Sequence, residues 1–267
     1  MVDLIHFSDL HVGSGDFVPE YLDNVVEYIN EQNPDFVVCT GDLVHKGRLS
    51  EYDQVKPYLD RIKPTMLVIP GNHEFKYSGI ILFENMIGPR RSKLILNELD
   101  TIVVGACSGR DGMSDGEIGD EQMLWLAKQF NKPIENRIIA LHHHLISVPY
   151  SGRKFSICRD AGEIIEFAQL FEIDLVLMGH KHIPHAYVIG PTTFLYCGTS
   201  ASTKVRAKEN PSFNYITIDE GDITVEIVDS ISLEKQLLLK KENGRTEYVR
   251  PRKTRIEHII NSSIFNE

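Results

Sequence analysis

Five short apolar runs organise the hydrophobic pattern of the first 180 residues. They span residues 4–7, 36–39, 66–69, 138–141 and 175–178, and each is rich in branched or aromatic side chains. Runs of this length and composition are typical of buried β-strands. Amphipathic stretches at residues 18–33, 51–62 and 80–87 predict helices that connect the early strands, so the strands they join are expected to run parallel.

The pattern changes after residue 183. Short runs at residues 186–189, 193–197, 213–218 and 224–228 are separated by Gly, Pro and Asn turns and predict antiparallel strands. Residues 109–119, rich in Gly, Asp and Ser, predict a loop. We find no internal repeat.

Polar islands follow the five apolar runs, and they hold seven of the eleven histidines. In an α/β sheet, catalytic groups gather at the carboxyl ends of strands, so these islands are expected to meet. They supply carboxylate, imidazole and amide groups, which are ligands for divalent metals. Residues i and i+2 of an extended segment project to one side, so Asp9 can share an ion with His11, as His180 can with His182. The islands are Asp9-Leu10-His11, Gly41-Asp42, Gly71-Asn72-His73-Glu74, His142-His143-His144 and Gly179-His180-Lys181-His182.

Five ordered motifs, DxH, GD, GNH[DE], a histidine after a strand and GHxH, resemble those of the calcineurin-like metallophosphoesterase superfamily. Gly198-Thr199-Ser200 and residues 210–214 resemble its class III cyclic nucleotide phosphodiesterases. The resemblance implies an α/β fold, a four-layer α/β/β/α sandwich of two mixed sheets flanked by helices, with the metal site at strand carboxyl ends. The strands after residue 183 would then belong to the second sheet.

The resemblance also implies roles for individual residues. Asp42 would bridge two ions, and His73 would be the acid beside the leaving group. Asp9, His11 and His182 would hold one ion, and Asn72, His180 and a histidine of the triplet would hold the other. The family pattern favours His142 for that place, while strand alternation alone leaves His143 open. The chain departs from the common pattern with His144 in place of proline and Glu74 in place of aspartate.

Four residues are predicted to contact substrate. His45, three residues after Asp42, can reach it from a loop, although a solvated loop histidine fits the sequence equally well. His143, Arg153 and Arg206 are further candidates for contacts with phosphate or base. The alternative for the two arginines is solvent exposure, which is common for basic loop residues.

Charge divides the chain at residue 229. Residues 230–267 hold eight Lys or Arg against five Glu, which gives them a net charge of +3. Residues 1–229 have a net charge of −13, so the whole chain has the net charge of −10. We therefore predict a metallophosphoesterase domain at 1–229 and a basic C-terminal extension at 230–267. The extension either packs on the acidic body or a second subunit, which we favour, or contacts nucleic acid. The acidic body disfavours a long polyanion as substrate.

The predicted protein is a metal-dependent phosphoric ester hydrolase. It uses two divalent ions, Mn, Fe or Zn, to cleave phosphodiesters of small nucleotide-type substrates such as cyclic nucleotides. The alternatives are a DNA or RNA phosphodiesterase of the same superfamily and a non-catalytic scaffold, which the complete ligand set disfavours. Four scattered cysteines without disulfide spacing predict a cytoplasmic protein. No apolar stretch approaches 20 residues, so no membrane-spanning segment is expected. A homo-oligomer is possible.

Overall fold

The computed structural model of the protein describes residues 1–151, 157–207 and 209–248. Its helices are α1 (Pro19–Gln32), α2 (Leu49–Asp60), α3 (Gly79–Met86), α4 (Gly119–Gln129) and α5 (Ala161–Leu170). Its strands are β1 (Val2–Phe7), β2 (Phe36–Cys39), β3 (Met66–Val68), β4 (Ser92–Leu96), β5 (Thr101–Gly105), β6 (Asn136–Ala140), β7 (Leu175–Met178), β8 (His185–Ile189), β9 (Thr192–Tyr196), β10 (Ser212–Asp219), β11 (Asp222–Asp229), β12 (Lys235–Glu242) and β13 (Arg245–Tyr248).

The strands form two mixed sheets. The first has seven strands in the order β13-β12-β11-β10-β1-β2-β3, and the second has six in the order β4-β5-β6-β7-β9-β8. β1, β2 and β3 run parallel, as do β5, β6, β7 and β9. The two parallel groups each direct their carboxyl ends toward the loops that carry the polar islands.

Alternate residues of each strand fill different hydrophobic layers. Ile5 and Val37 face α1 and α2, whereas Leu4 and Phe36, one position away, pack between the two sheets. The outer face of the second sheet packs on α4 and α5 in the same way. Because side chains alternate across a strand, one strand can serve two layers, and the result is helix, sheet, sheet, helix. The predicted four-layer α/β/β/α sandwich is confirmed.

The later strands differ from the prediction in their placement. β8 and β9 join the second sheet, but β9 runs parallel to β7. β10 and β11 instead extend the first sheet, where β10 pairs with β1 in antiparallel orientation. The assignment to the second sheet is therefore confirmed for β8 and β9 and wrong for β10 and β11. Turn residues locate strands in the sequence without specifying which strands pair.

The chain beyond residue 229 continues the first sheet. β12 pairs with β11, and β13 pairs with β12. The predicted domain boundary after residue 229 therefore falls between β11 and β12, two strands that are hydrogen-bonded to each other. Lys240 Nζ lies 3.0 Å from Glu242 Oε1, and Lys241 Nζ donates a hydrogen bond to the Pro191 carbonyl at 2.6 Å. Arg250, Arg252, Lys253 and Arg255 of the predicted extension lie outside the described residues. Within the described part of the chain, no helix is long and apolar enough to cross a bilayer.

Candidate two-metal site

The polar islands converge where the carboxyl ends of the two sheets meet. The loops after β1, β2 and β3 come from the first sheet, and those after β6 and β7 come from the second. Five of the predicted metal ligands have positive φ: Asp9 (57°), His11 (51°), Asp42 (53°), His180 (76°) and His182 (53°). This conformation costs free energy for residues other than glycine, and it concentrates at functional sites. The Asp9–His11 and His180–His182 pairs therefore converge through left-handed turns, not through the extended geometry that the sequence suggested.

Glycines allow the islands to approach one another. A Cβ atom on Gly179 would lie 2.6 Å from Asp9 Oδ2, and one on Gly71 would lie 2.8 Å from His142 Cε1. Both distances are well inside van der Waals contact, so any larger residue would push the polar side chains apart.

Asp9, His11 and His182 form the first group of donor atoms, which all lie within 4.8 Å of one another. His182 Nε2 lies 3.2 Å from Asp9 Oδ1 and 2.8 Å from His11 Nε2. Asp9 Oδ1 is buried and accepts no hydrogen bond. A buried, unpartnered carboxylate oxygen facing two imidazole nitrogens fits a cation, because these are the donors that borderline divalent metals take.

Asp42, Asn72, His142 and His180 form the second group. Asn72 Oδ1 lies 3.2 Å from His142 Nε2 and 3.0 Å from His180 Nδ1. Asp42 Oδ2 lies 3.4 Å from His142 Nε2 and 3.7 Å from His11 Nε2. One oxygen of Asp42 thus stands between the two groups.

Backbone contacts orient the donor atoms. His142 Nδ1 donates to the Thr40 carbonyl at 2.7 Å, and His182 Nδ1 donates to the Lys204 carbonyl at 2.6 Å. In the neutral form of each ring, the Nε2 lone pair is therefore directed at the cluster. The second oxygens of the aspartates are similarly engaged: Asp9 Oδ2 accepts from His180 N, and Asp42 Oδ1 accepts from His73 N, both at 2.8 Å. Such contacts fix the orientation of the donor atoms.

The charges in the cluster favour a bound cation. Burial alone would raise the pKa of both aspartates, but the histidines outweigh it: His182 and His11 hold the pKa of Asp9 well below its usual range, and His142 does so for Asp42. Burial opposes protonation of His142, yet Asp42 raises its pKa to about 9. Two ionised carboxylates in a buried site therefore attract positive charge.

His73 lies beside this cluster and faces the solvent-accessible cleft. Its Nδ1 donates to the His45 carbonyl at 2.7 Å, and its Nε2 lies 3.9 Å from Asp42 Oδ2. Burial lowers the pKa of His73, although Asp42 acts in the opposite direction. The ring is thus held in one orientation, and Nε2 is the nitrogen that is left without a backbone contact.

The predicted substrate contacts occupy different surroundings. His45 and Arg206 line a cleft of about 590 Å³ that opens onto both groups. His143 is buried, with Nδ1 2.8 Å from the Ser108 hydroxyl, so the triplet presents His142 and not His143 to Asp42. His144 is buried against Tyr196, with ring centroids 4.3 Å apart. Arg153 lies outside the described residues.

Two contributors were not predicted from the sequence. Glu74 is fully buried and accepts hydrogen bonds from Asp42 N at 2.9 Å, Gly71 N at 2.7 Å and Val44 N at 3.1 Å, so it ties two islands together. Lys76 Nζ lies 3.0 and 3.1 Å from the two ring nitrogens of His73 and 3.2 Å from the His45 carbonyl. The sequence offered one signal for this contact, because Lys76 follows His73 by three residues and can reach it within one short turn.

Comparison with known proteins identifies the family. Residues 2–184 match the family model for calcineurin-like phosphoesterases. The match covers more than half of the chain, so the protein belongs to the calcineurin-like phosphoesterase family, as its motifs predicted.

Among its relatives is a probable glycerophosphodiester phosphodiesterase GpdQ from Arcobacter nitrofigilis, 28% identical over 153 residues, which are 53% of this chain and 56% of that protein. The chain therefore spans only about half the length of this relative. A probable cyclic nucleotide phosphodiesterase from Vesicomyosocius okutanii is 24% identical over 83% of this chain and 96% of that protein. The fold is similar to that of a purple acid phosphatase from yellow lupin, with a TM-score of 0.70 and 15% identity over 88% of this chain and 52% of that one.

Proposed function

We propose that this protein hydrolyses phosphodiester bonds of small nucleotide-type substrates with the help of two divalent ions. The observation that carries the proposal is the place of Asp42. One of its oxygens lies 3.7 Å from His11 Nε2 and 3.4 Å from His142 Nε2, between two separate groups of metal-type donors. A carboxylate in this position is suited to bridging two ions.

The donor set suits Mn, Fe or Zn, since it combines imidazole, carboxylate and amide oxygen without thiolate. When bound, two such ions supply the positive charge that acidifies water and neutralises a phosphodiester. We assign Asp9, His11 and His182 to the first ion, Asn72, His142 and His180 to the second, and Asp42 to both.

His73 is proposed to transfer a proton to the leaving alkoxide. Its Nδ1 remains bonded to the His45 carbonyl, so Nε2 is the nitrogen that gains and loses the proton. Burial lowers the pKa of this imidazole, which makes its proton easier to donate once the ring is charged.

The nucleotide-type substrate is supported by the names of the two relatives, which describe a glycerophosphodiester and a cyclic nucleotide phosphodiesterase. The described part of the basic extension supports a small substrate over nucleic acid. There, Lys240 and Lys241 contact Glu242 and the Pro191 carbonyl of the protein itself.

The proposal is tested by turnover after metal removal and reconstitution with Mn, Fe or Zn. We expect the reconstituted protein to hydrolyse cyclic AMP or a glycerophosphodiester, and the chelated protein to be inactive. Asp42→Ala should lose both turnover and metal, whereas Asp60→Ala, which removes an exposed aspartate paired with Lys56, should retain both. Diester hydrolysis by Asp42→Ala at the wild-type rate would contradict the proposal.

A further inference from the structure

The cleft beside the two donor groups carries an excess of positive charge. Lys181, Lys204 and Arg206 line it, and Asp16 is the one carboxylate besides Asp42 among its described lining residues. Lys204 and Arg206 are exposed, and neither side chain has an ion pair among the described residues. This contrasts with the −13 carried by residues 1–229 as a whole.

The loop that presents these cations is anchored to the site. The carbonyl of Lys204 accepts the Nδ1–H of His182 at 2.6 Å, and Thr203 N donates to the Asp16 carbonyl at 2.9 Å. Lys204 N also donates to the Ser202 hydroxyl at 3.2 Å. His182 is therefore hydrogen-bonded directly to the cationic loop, which holds the backbone that carries Lys204 and Arg206 beside the two donor groups.

The charge of the proposed metal centre already matches that of a simple phosphodiester. Two divalent ions, offset by Asp9, Asp42 and a hydroxide, leave a net charge of about +1, which one diester monoanion neutralises. Lys204 and Arg206, set against Asp16, then leave an excess of one positive charge. In a cleft, such uncompensated charge raises the local concentration of anions.

The rest of the lining also favours recognition by charge. Ser14, Ser114, Ser151 and Ser202 contribute hydroxyl groups, and Val205 is the only apolar side chain among the described lining residues. Hydroxyl and cationic groups suit phosphate oxygens, whereas this part of the lining offers little surface on which a base could stack.

We propose that the substrate carries a second phosphate beside the scissile diester, bound by Lys204 and Arg206. The substrate class is then a phosphorylated nucleotide diester, such as a 5′-phosphorylated dinucleotide. This inference rests on the proposed function, because it assumes that the scissile phosphate lies at the two donor groups.

A competition assay tests the substrate preference. Adenylyl-adenosine and its 5′-phosphorylated form are mixed with the metal-reconstituted protein, and their rates of consumption give the ratio of kcat/KM. We expect about a tenfold preference for the phosphorylated form, the size expected for one or two exposed ion pairs, and a smaller preference at high salt. Equal consumption would overturn the inference while leaving the phosphodiesterase activity established.

Paired variants connect the preference to these residues. Lys204→Gln/Arg206→Gln should reduce the ratio to near one, whereas Lys63→Gln/Lys128→Gln, which removes the same charge at exposed positions outside the cleft lining, should keep it. A ratio that survives the first double substitution would overturn the assignment.

A binding measurement separates this inference from the proposed function. Calorimetric titration of adenosine 3′,5′-bisphosphate and of adenosine 5′-phosphate needs no turnover, and we expect about tenfold tighter binding of the bisphosphate. Equal affinities would overturn the inference. Failure to hydrolyse any diester, with the bisphosphate still preferred, would contradict the proposed function and leave the phosphate site at Lys204 and Arg206 standing.

Discussion

Gly71 gives the sharpest test of the packing around the proposed metal centre. Gly71→Ala introduces a Cβ atom 2.6 Å from Asp42 N and 2.8 Å from His142 Cε1. Ordinary contact begins near 3.4 Å, so the His142 ring must retreat by about 0.6 Å and the Asp42 loop must shift as well. Metal ligands tolerate displacements of only about 0.2 Å, so the substitution should disturb the site itself.

The expected size follows from this displacement. Overpacking of this kind costs about 1–3 kcal/mol of stability, which a domain of this size survives. A misplacement approaching 1 Å at a reaction centre costs roughly 100-fold in rate, and we expect a loss of that order in turnover together with weaker binding of the second ion.

The assay combines urea unfolding, metal titration and diester turnover. Gly162→Ala is the matched control, because a Cβ at this position in α5 meets nothing within 4 Å and helical alanine is favoured over glycine by about 0.5–1 kcal/mol. We expect Gly162→Ala to be fully active and slightly more stable. If Gly71→Ala binds two ions with wild-type affinity and turns over at the wild-type rate, the close approach of Gly71 to Asp42 and His142 is refuted.

Three further predictions concern the surrounding residues. His73→Ala should retain both ions but lose about 100- to 10,000-fold in rate on an alkyl diester and much less on a p-nitrophenyl diester; equal losses on both would remove His73 from the proton transfer. Glu74→Ala should lower the free energy of unfolding in urea by roughly 3 kcal/mol or more, because three buried N–H groups lose their acceptor, whereas exposed Glu234→Ala should change it little. Burial lowers the pKa of His6 to about 3. Between about pH 6.5 and pH 3 the unfolded chain therefore takes up a proton that the folded state excludes, so the free energy of unfolding should fall as the pH falls. In protein freed of metal by a chelator, His6→Gln should reduce this slope by about 1.4 kcal/mol per pH unit. An unchanged slope would contradict the buried, neutral state of His6.

The sequence predicted where the polar islands meet better than it predicted the path of the chain. The islands could be located because ligand-type residues follow apolar strands, and parallel strands place their carboxyl ends together. The structure brings Asp42 next to His142, the triplet member that the family pattern favoured. The turns that achieve this are not visible in the sequence, since Asp9 and His182 adopt positive φ without being glycine.

Some elements were missed for identifiable reasons. In α4, Leu124 is 66% exposed, so the apolar residues around Trp125 do not form a clean helical stripe. In α5, Ile164, Phe167 and Ala168 are buried at helical spacing, so a usable signal was present. One of the two neighbours of β1 is β10, more than 200 residues away along the chain, and such pairing depends on long-range packing that local patterns do not encode.

Glu74 shows how a departure from a family pattern can carry structural meaning. Its position suggested only altered local geometry, but its carboxylate binds three backbone N–H groups from the loops of Asp42 and Asn72. The number of donors near a buried carboxylate depends on how two loops fold together, which one sequence does not reveal.

The most direct test of the two-ion account is a crystal structure of the manganese-loaded protein with anomalous diffraction at the metal edge. We predict two peaks about 3.5–4 Å apart, with Asp42 touching both ions, Asp9 and His11 touching the first, and Asn72 and His142 touching the second. A single peak, or two peaks that do not share Asp42, would contradict the account.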